Sequence, residues 1–396
     1  MLLRRTRSVI RIEEAIGESR RRRHPPYIEA MVASVSGPCA NEPQPNGEGP
    51  EVSPTQQRSN FSPDGGPPEP VNRPKALIGC IVAVALAATG CNGVSISRES
   101  AATSLVAAVA SYDIVVARPG RFIVGLYTAD QTRLLAFGTI SFTFTYLGAG
   151  REAAPEPGAT IGPVSAEFLP IPGQDLDLDT PGPQLVPGSH ATGVYGALDV
   201  EFDRAGFWEV AIQAEVDGRT QHATGAFEVL ARSDLPAVGE QAPRSRQPLA
   251  GDPAGDPSAI DSRAGHDVPI PDPELHDITI ADAIAAGRPI MVVVSTPTFC
   301  VSRFCGPITD SVHELALRFG DHMEFIHLEV WQDFEANALN PAAAEWIAPT
   351  PETDAAEPWV FVIDSDGLVV QRFDNVATEA DLLAAVQALI GDLADG

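Results

Sequence analysis

The chain contains very little lysine and little positive charge. Lys75 is the only lysine among 396 residues, so no lysine lies downstream of it to bind phosphate or to form a Schiff base. Acidic residues outnumber basic ones by 53 to 26, and the formal net charge is −27. Nucleic acids and anionic membranes bind positive surfaces, so this balance argues against both as ligands. We interpret the negative charge as a source of solubility.

Cysteine is also scarce, and its positions matter more than its number. The five cysteines are Cys39, Cys80, Cys91, Cys300 and Cys305. The first three lie in the N-terminal 91 residues, and the last two lie five positions apart near the C-terminus. The two groups therefore need separate explanations.

Residues 1–70 lack the apolar spacing of a folded domain. They combine an arginine run, Arg20 to Arg23, with a stretch rich in Pro, Gly, Asn and Glu that ends at Pro70. This composition is typical of a disordered segment. We therefore predict that residues 1–70 are disordered.

A short basic segment and an uncharged run follow. The run extends over 15 residues from Ala76 to Gly90, which is short for a transmembrane helix and suits the core of a signal peptide. It ends in Ala88-Thr-Gly-Cys91, which resembles the lipobox of bacterial lipoprotein signals. The resemblance implies that residues 71–91 are a signal peptide, that Cys91 is lipidated, and that the protein is anchored to the extracytoplasmic side of the cell membrane. An uncleaved membrane anchor and a cleaved secretory signal remain alternatives.

The position of this signal affects the expected start of the protein. Signal peptides begin near the N-terminus, whereas this one begins at residue 71. We therefore expect translation to start near Val71, which would leave residues 1–70 untranslated. Cys39 would then not be translated, Cys80 would be cleaved off with the signal peptide and Cys91 would be lipidated, so that Cys300 and Cys305 are left to each other.

Residues 105–232 have the pattern of an all-β domain. Thr139 to Tyr146 alternates apolar and hydroxyl residues, and Phe207 to Val216 places apolar residues on one side. Asp217-Gly218 is a tight hairpin signal. Short strands separated by turns indicate an antiparallel sandwich, and the segment from Asp203 to Val210 resembles the late strands of immunoglobulin-like domains.

Two possible metal-binding features of this domain are weak matches. Asp175 to Asp179 is similar to the start of a calcium loop, but Thr180 and Val186 stand where a glycine and a bidentate glutamate are needed, so we predict a solvated loop. His190 and His222 are isolated, and we assign no metal to them.

Residues 233–273 are rich in Pro, Gly, Asp and Ser, which predicts a linker.

Residues 274–396 alternate α and β signals. Pro289 to Ser295 is an apolar run expected of a buried strand, a helix with Val312, Leu315, Leu317 and Phe319 follows the cysteines, and Trp359 to Phe373 predicts a hairpin about Asp364 to Gly367. Thr279 and Thr378 are predicted to cap the first and last helices of this region.

This order resembles the thioredoxin-like superfamily in two further features. Cys305-Gly-Pro opens a helix after the first core strand, and Pro358 precedes a late strand at the place of the family's cis-proline. The resemblance covers residues 274–396 and implies an α/β thioredoxin-like domain after an all-β immunoglobulin-like sandwich. Two departures accompany it: Ile308 replaces the second motif cysteine, and Val294 stands where the family has a buried acid.

The cysteine pair therefore has several interpretations. A helix N-terminus and Arg303 favour the thiolate at Cys305, and Cys300 in the preceding loop is close enough for a disulfide. The first hypothesis is a thiol–disulfide oxidoreductase with Cys305 attacking and Cys300 resolving, or with these two roles reversed, Pro358 beside them and a protein thiol or disulfide as partner. The alternative is a cell-surface binding lipoprotein with a structural disulfide. A copper-delivery site would lack its histidine, since residues 331–358 contain none, and peroxidase activity has only a vague loop similarity. His313, His322 and His327 are expected to be structural or exposed, and no cofactor or metal is predicted.

Overall fold

The computed structural model describes residues 104–394, except 151–159, 175, 189–191, 253–254, 301 and 351–354. The segments 1–70 and 71–91, the lipidation site Cys91, the acid Asp175 and the isolated His190 lie outside the described residues. The described part is predominantly β-sheet with few helices. None of its helices has the length and hydrophobicity needed to cross a bilayer.

Nine strands form the first sheet. They are β1 Leu105–Val109, β2 Gly120–Thr128, β3 Arg133–Ala136, β4 Thr139–Gly148, β5 Thr160–Pro170, β6 Gln184–Pro187, β7 Gly193–Val200, β8 Gly206–Val216 and β9 Arg219–Val229. The hydrogen-bonding order is β6, β3, β2, β7, β5, β4, β8, β9, with β1 paired to β2. This is one continuous antiparallel sheet, and the immunoglobulin-like assignment of residues 105–232 stays a prediction.

The alternation of apolar residues places one face of each long strand in a shared core. The buried residues of β4 and β8 are those that the pattern predicted: Ile140, Phe142, Phe144, Tyr146, Trp208, Val210, Ile212, Ala214 and Val216. Their neighbours in sequence point to the opposite face, because side chains alternate along a strand. The predicted strands are therefore confirmed.

The hairpin between β8 and β9 turns at Asp217 and Gly218, as predicted, and both residues have positive φ, 53° and 71°. We expect Gly218→Ala to destabilise the protein by about 1–2 kcal/mol, because a Cβ is strained in the left-handed region. No atom lies within 4 Å of the added Cβ, so the effect would be conformational. Chemical denaturation measures it. Gly251→Ala, where φ is not in that region and the surroundings are open, is the control and should not destabilise. Equal losses in both variants would contradict the explanation.

The second sheet has four strands in the order β11, β10, β14, β15. These are β10 Ile290–Ser295, β11 Glu324–Glu329, β14 Trp359–Ile363 and β15 Val369–Asp374, and a separate small hairpin joins β12 Trp331–Asp333 to β13 Ala338–Leu339. β10 is parallel to β11 and antiparallel to β14, and β14 is antiparallel to β15. The predicted hairpin about Asp364 to Gly367 is confirmed.

Helices cover both faces of this sheet. They are α1 Ile280–Ala285, α2 Cys305–Phe319, α3 Pro341–Ile347 and α4 Glu379–Ala394. Buried residues of α2 and α4 share one core with Met291 and Val293, whereas α1 and α3 pack on the face that holds Val292 and Val294. The predicted caps are present, since Thr279 and Thr378 each accept an N–H from the residue three positions on.

The two sheets lie in one compact unit of the chain. Ile123 of β2 belongs to the same apolar cluster as α2 and α4. Arg121 donates to the backbone oxygen of Asp374 at 2.9 Å, and Arg372 pairs with the buried Asp113. The predicted division into a domain at 105–232 and a domain at 274–396 stays a prediction.

The segment 233–273, predicted as a linker, packs against the second sheet. Leu235 and Ala242 belong to the core of that sheet, and Asp261 is fully buried. Ser245 accepts a hydrogen bond from the indole of Trp346 at 2.9 Å. Composition reflects local backbone preference, whereas these tertiary contacts order the segment.

Candidate functional site

A disulfide joins the two cysteines after β10. Cys300 lies in the loop that follows the strand, and Cys305 is the first residue of α2. Their Cα atoms are 6.0 Å apart, within the roughly 4.4–6.8 Å usual for a disulfide. The predicted pairing distance is therefore confirmed.

The two sulfurs differ in exposure. Cys305 is fully buried and Cys300 is half-buried. The Sγ of Cys300 accepts the backbone N–H of Cys305 at 3.3 Å and lies 3.3 Å from the hydroxyl of Ser302. Phe304 precedes the helix and offers no side-chain cap, so the sulfur takes the position of a capping acceptor.

In this geometry the helix N-terminus acts on the sulfur of Cys300 rather than on that of Cys305. A helix N-terminus and a donated N–H both stabilise a thiolate, and here the N–H points at the sulfur of Cys300. From the sequence alone, this stabilisation was expected at Cys305, because Cys305 begins the helix. The sulfur of Cys305 is instead enclosed by protein, which leaves Cys300 as the one that a partner can reach.

A carboxylate lies beside the disulfide. One oxygen of Glu357 and the two sulfurs all lie within 4.8 Å of one another. Burial raises the pKa of Glu357 to about 7, and the negative charge of Glu329 adds to the shift. Near neutral pH this carboxyl therefore exchanges a proton readily.

Glu357 was not among the site residues predicted from the sequence. The buried acid of the thioredoxin-like pattern was expected at the position of Val294, which is apolar and packs in the core on the α1 and α3 face. The signal that could have found the acid is its place in the chain, directly before Pro358. Pro358 is buried, and its peptide bond with Glu357 is cis as predicted.

Tyr112, in the loop after β1, holds the turn at Glu357 and Pro358 in place. The hydroxyl of Tyr112 donates to the backbone oxygen of Glu357 at 2.8 Å, and its ring packs on Trp359 at a centroid distance of 5.9 Å. Burial raises the pKa of Tyr112, with smaller contributions from Glu357 and Asp374, so the hydroxyl remains a donor. The β-rich part of the chain thus contributes directly to the site.

The residue before Cys300 belongs to a group of stacked aromatic side chains. Phe299 immediately precedes Cys300 and stacks on Phe334 at a centroid distance of 3.9 Å. Trp331 meets Phe334 edge to face at 5.4 Å. Phe334 is 44% exposed, so part of this surface is open to an apolar partner side chain.

Four histidines that are not part of the disulfide site have different surroundings. His222 is exposed on β9, and His322 is exposed after α2. His313 lies on α2 and pairs with Asp272 and Glu274. His327 is buried in β11.

No family model and no curated protein matches this chain. Among solved structures, a thiol:disulfide interchange protein of the thioredoxin family from Chlorobium tepidum TLS aligns with 29% of this chain and 86% of its own, at 15% identity and a TM-score of 0.24. BslA, a bacterial hydrophobin, aligns with 33% of this chain and 95% of its own, at 13% identity and a TM-score of 0.18. Similarity at this level carries no argument about function.

Proposed function

We propose that the protein is a thiol–disulfide oxidoreductase that uses Cys300 and Cys305. The observation that carries the proposal is the carboxylate of Glu357 within 4.8 Å of both sulfurs, in a site where the Cys300 sulfur receives a helix N-terminal N–H. A thiolate-stabilising donor and a proton acceptor are the two groups that disulfide exchange needs.

The architecture of the second sheet supports a thioredoxin-like domain. One parallel pair, β10 and β11, continues into two antiparallel strands, and helices lie on both faces. The disulfide stands at the N-terminus of α2, the helix that follows the central strand β10. We propose that residues 274–396 form a thioredoxin-like domain and that residues 105–232 before it form an immunoglobulin-like sandwich.

The reduced protein would react in two steps. The Cys300 thiolate attacks a partner disulfide, forming a mixed disulfide and releasing one partner thiolate. Glu357 then accepts the proton of the Cys305 thiol, and the Cys305 thiolate attacks the Sγ of Cys300. The Cys300–Cys305 disulfide forms and the second partner thiolate leaves, so two electrons pass to the partner. The same steps in reverse oxidise a partner dithiol.

The proposed partner is a protein rather than a small thiol. Phe299, the residue before Cys300 in the chain, stacks on the partly exposed Phe334, and this surface suits an apolar segment flanking the partner's cysteine. Nucleic acid does not fit the net charge of −27.

One observation favours the alternative of a structural disulfide. Cys305 has no exposed surface, so half of the pair is shielded. In that case the protein would be a non-catalytic binding lipoprotein with a locked disulfide.

We also propose that Cys91 carries a lipid and anchors the protein on the extracytoplasmic side of the membrane. The support is the lipobox-like sequence from Ala88 to Cys91. Mass spectrometry of the native protein tests it: an N-terminal Cys91 with acyl chains is expected, whereas an unmodified peptide spanning residues 80–95 contradicts it.

Trapping experiments test the redox function. Cys305→Ser should accumulate a mixed disulfide with partner proteins, because Cys300 still attacks and nothing resolves the product. The matched variant Cys300→Ser should trap far less, because its remaining thiol is buried. A redox titration of the wild-type pair completes the test. A potential below about −300 mV, together with no exchange activity, would support the structural disulfide instead.

A further inference from the structure

A second cluster of chemically active side chains lies away from the disulfide. Asp261 comes from the segment between the sheets, His276 follows the 3-10 turn Pro273–Leu275, and His327 lies on β11. Their exposed fractions are 0%, 1% and 1%. The proposed redox chemistry uses none of them.

The ligand atoms of this cluster converge. The Oδ2 atom of Asp261 is 3.2 Å from Nδ1 of His327 and 3.6 Å from Nε2 of His276. All three atoms lie within 4.8 Å of one another. A tetrahedral zinc with bonds of about 2.0–2.1 Å separates its ligands by roughly 3.3–3.4 Å, which falls between the two measured distances.

The two imidazole nitrogens lack hydrogen bonds. Nε2 of His276 and Nδ1 of His327 are buried, and within the described part of the chain neither has a partner with hydrogen-bond geometry. Their approach to Asp261 is close but poorly aligned for a ring N–H. Burying such polar atoms without a bond is costly, and a metal ion would satisfy both.

The other nitrogen of His327 determines which tautomer the ring adopts. Nε2 lies 3.2 Å from the backbone oxygen of Ser295, so Nε2 is the atom that carries hydrogen and donates. In the neutral ring this leaves the lone pair on Nδ1, directed at the cluster. A backbone carbonyl that orients a histidine in this way is typical of metal sites.

The surrounding charges admit a cation. Arg263 holds Asp261 through Nε at 3.0 Å and Nη2 at 2.8 Å. The same guanidinium contacts Asp272 at 2.7 Å and Asp310 at 3.2 Å, so three carboxylates surround one arginine. Arg263 therefore orients the ligand carboxylate without making the cluster positive.

We propose that Asp261, His276 and His327 form a buried binding site for a divalent transition metal. One carboxylate and two imidazoles are ligands that suit zinc. The site would join the segment at 261, the turn before α1 and strand β11, so its role is to hold these three elements together. It is independent of the proposed redox function.

The test is the metal content of the full chain after expression with added zinc. The wild type should carry about one zinc per chain, whereas His276→Gln and His327→Gln should each lose at least about 90% of it. His222→Gln, at an exposed histidine on β9, is the control and should retain the metal. Cobalt substitution of the wild type should give visible d–d absorption.

Two outcomes would overturn the proposal. One is a wild-type chain with no zinc and no cobalt absorption, in which case the cluster is a buried ion network between Asp261 and a protonated histidine. The other is zinc that is retained in both histidine variants but lost in Cys300→Ser, which would place the metal at the cysteines. The wild-type measurements hold even if the histidine variants fail to fold.

Discussion

Replacing Glu357 with Gln is expected to slow exchange by the reduced protein about 100-fold near pH 8. The pKa of Glu357 is raised to about 7 by burial and by Glu329. Below that pH the carboxyl holds its proton and cannot accept one from Cys305, whereas above it the carboxylate can. The wild-type rate should therefore rise through pH 7, and the variant should rise only as the Cys305 thiol ionises without help. Single-turnover reduction of a disulfide-containing protein, followed across this pH range, gives both profiles.

Two further variants make the result specific to this carboxylate. Glu335→Gln removes an exposed acid between β12 and β13 and should leave the rate and the profile unchanged. Glu329→Gln removes the negative charge that raises the pKa of Glu357, so the inflection should move to lower pH. An unchanged rate and an inflection that persists near pH 7 in Glu357→Gln would show that Glu357 is not the proton acceptor.

The strands and caps were predictable because their signals are local. Alternation along β4 and β8 directly marks the buried face, and Thr279 and Thr378 each bond within their own first helical turn. One local prediction was wrong. Leu317 was grouped with Val312, Leu315 and Phe319 as an apolar residue at helical spacing, but it is 61% exposed. At about 100° per residue it lies roughly 200° around the helix from the buried Leu315.

The candidate site was predictable only in part, for a physical reason. The pairing of Cys300 and Cys305 depends on residues five positions apart, and the sequence alone supports it. Glu357 reaches the pair, and Tyr112 reaches Glu357, from distant segments, because β14 pairs with β10 and the loop after β1 docks on Trp359. Their position depends on tertiary packing, which has no local signal. The same applies to Asp261, which is fully buried although its segment has the composition of a linker.

Hydrogen bonds connect the cysteine site to the β-rich part of the chain. Tyr112 bonds the backbone of Glu357, and its own N–H bonds Asp374 at the end of β15. Arg121, in β2, bonds the same Asp374. Because these contacts are largely buried, loosening the first sheet is expected to disturb the turn that carries Glu357.

Replacing Phe122 with Ala is therefore expected to destabilise the whole described unit, by about 3–5 kcal/mol. Phe122 lies in β2, is 1% exposed and occupies the centre of an aromatic cluster. Its ring lies 4.7–6.2 Å from the rings of Phe142, Phe144, Phe202 and Phe227. The next residue, Ile123, packs with the core of α2 and α4, so β2 belongs to both cores. Chemical denaturation followed by tryptophan fluorescence and by alkylation of the reduced cysteines should show one transition, shifted equally for both probes.

The control for Phe122→Ala is Leu198→Ala in β7, where the side chain is 65% exposed. This variant should change the free energy of unfolding by less than about 0.5 kcal/mol. Trp208 is the only one of the four tryptophans in residues 105–232. If Phe122→Ala shifts only the part of the fluorescence change that comes from Trp208 and leaves the cysteines protected, residues 105–232 and 274–396 unfold as independent domains. That result would restore the division predicted from composition. A common shift would instead mean that the apolar cluster containing Ile123, and the bonds of Arg121 and Tyr112 to Asp374, make the two sheets one cooperative unit.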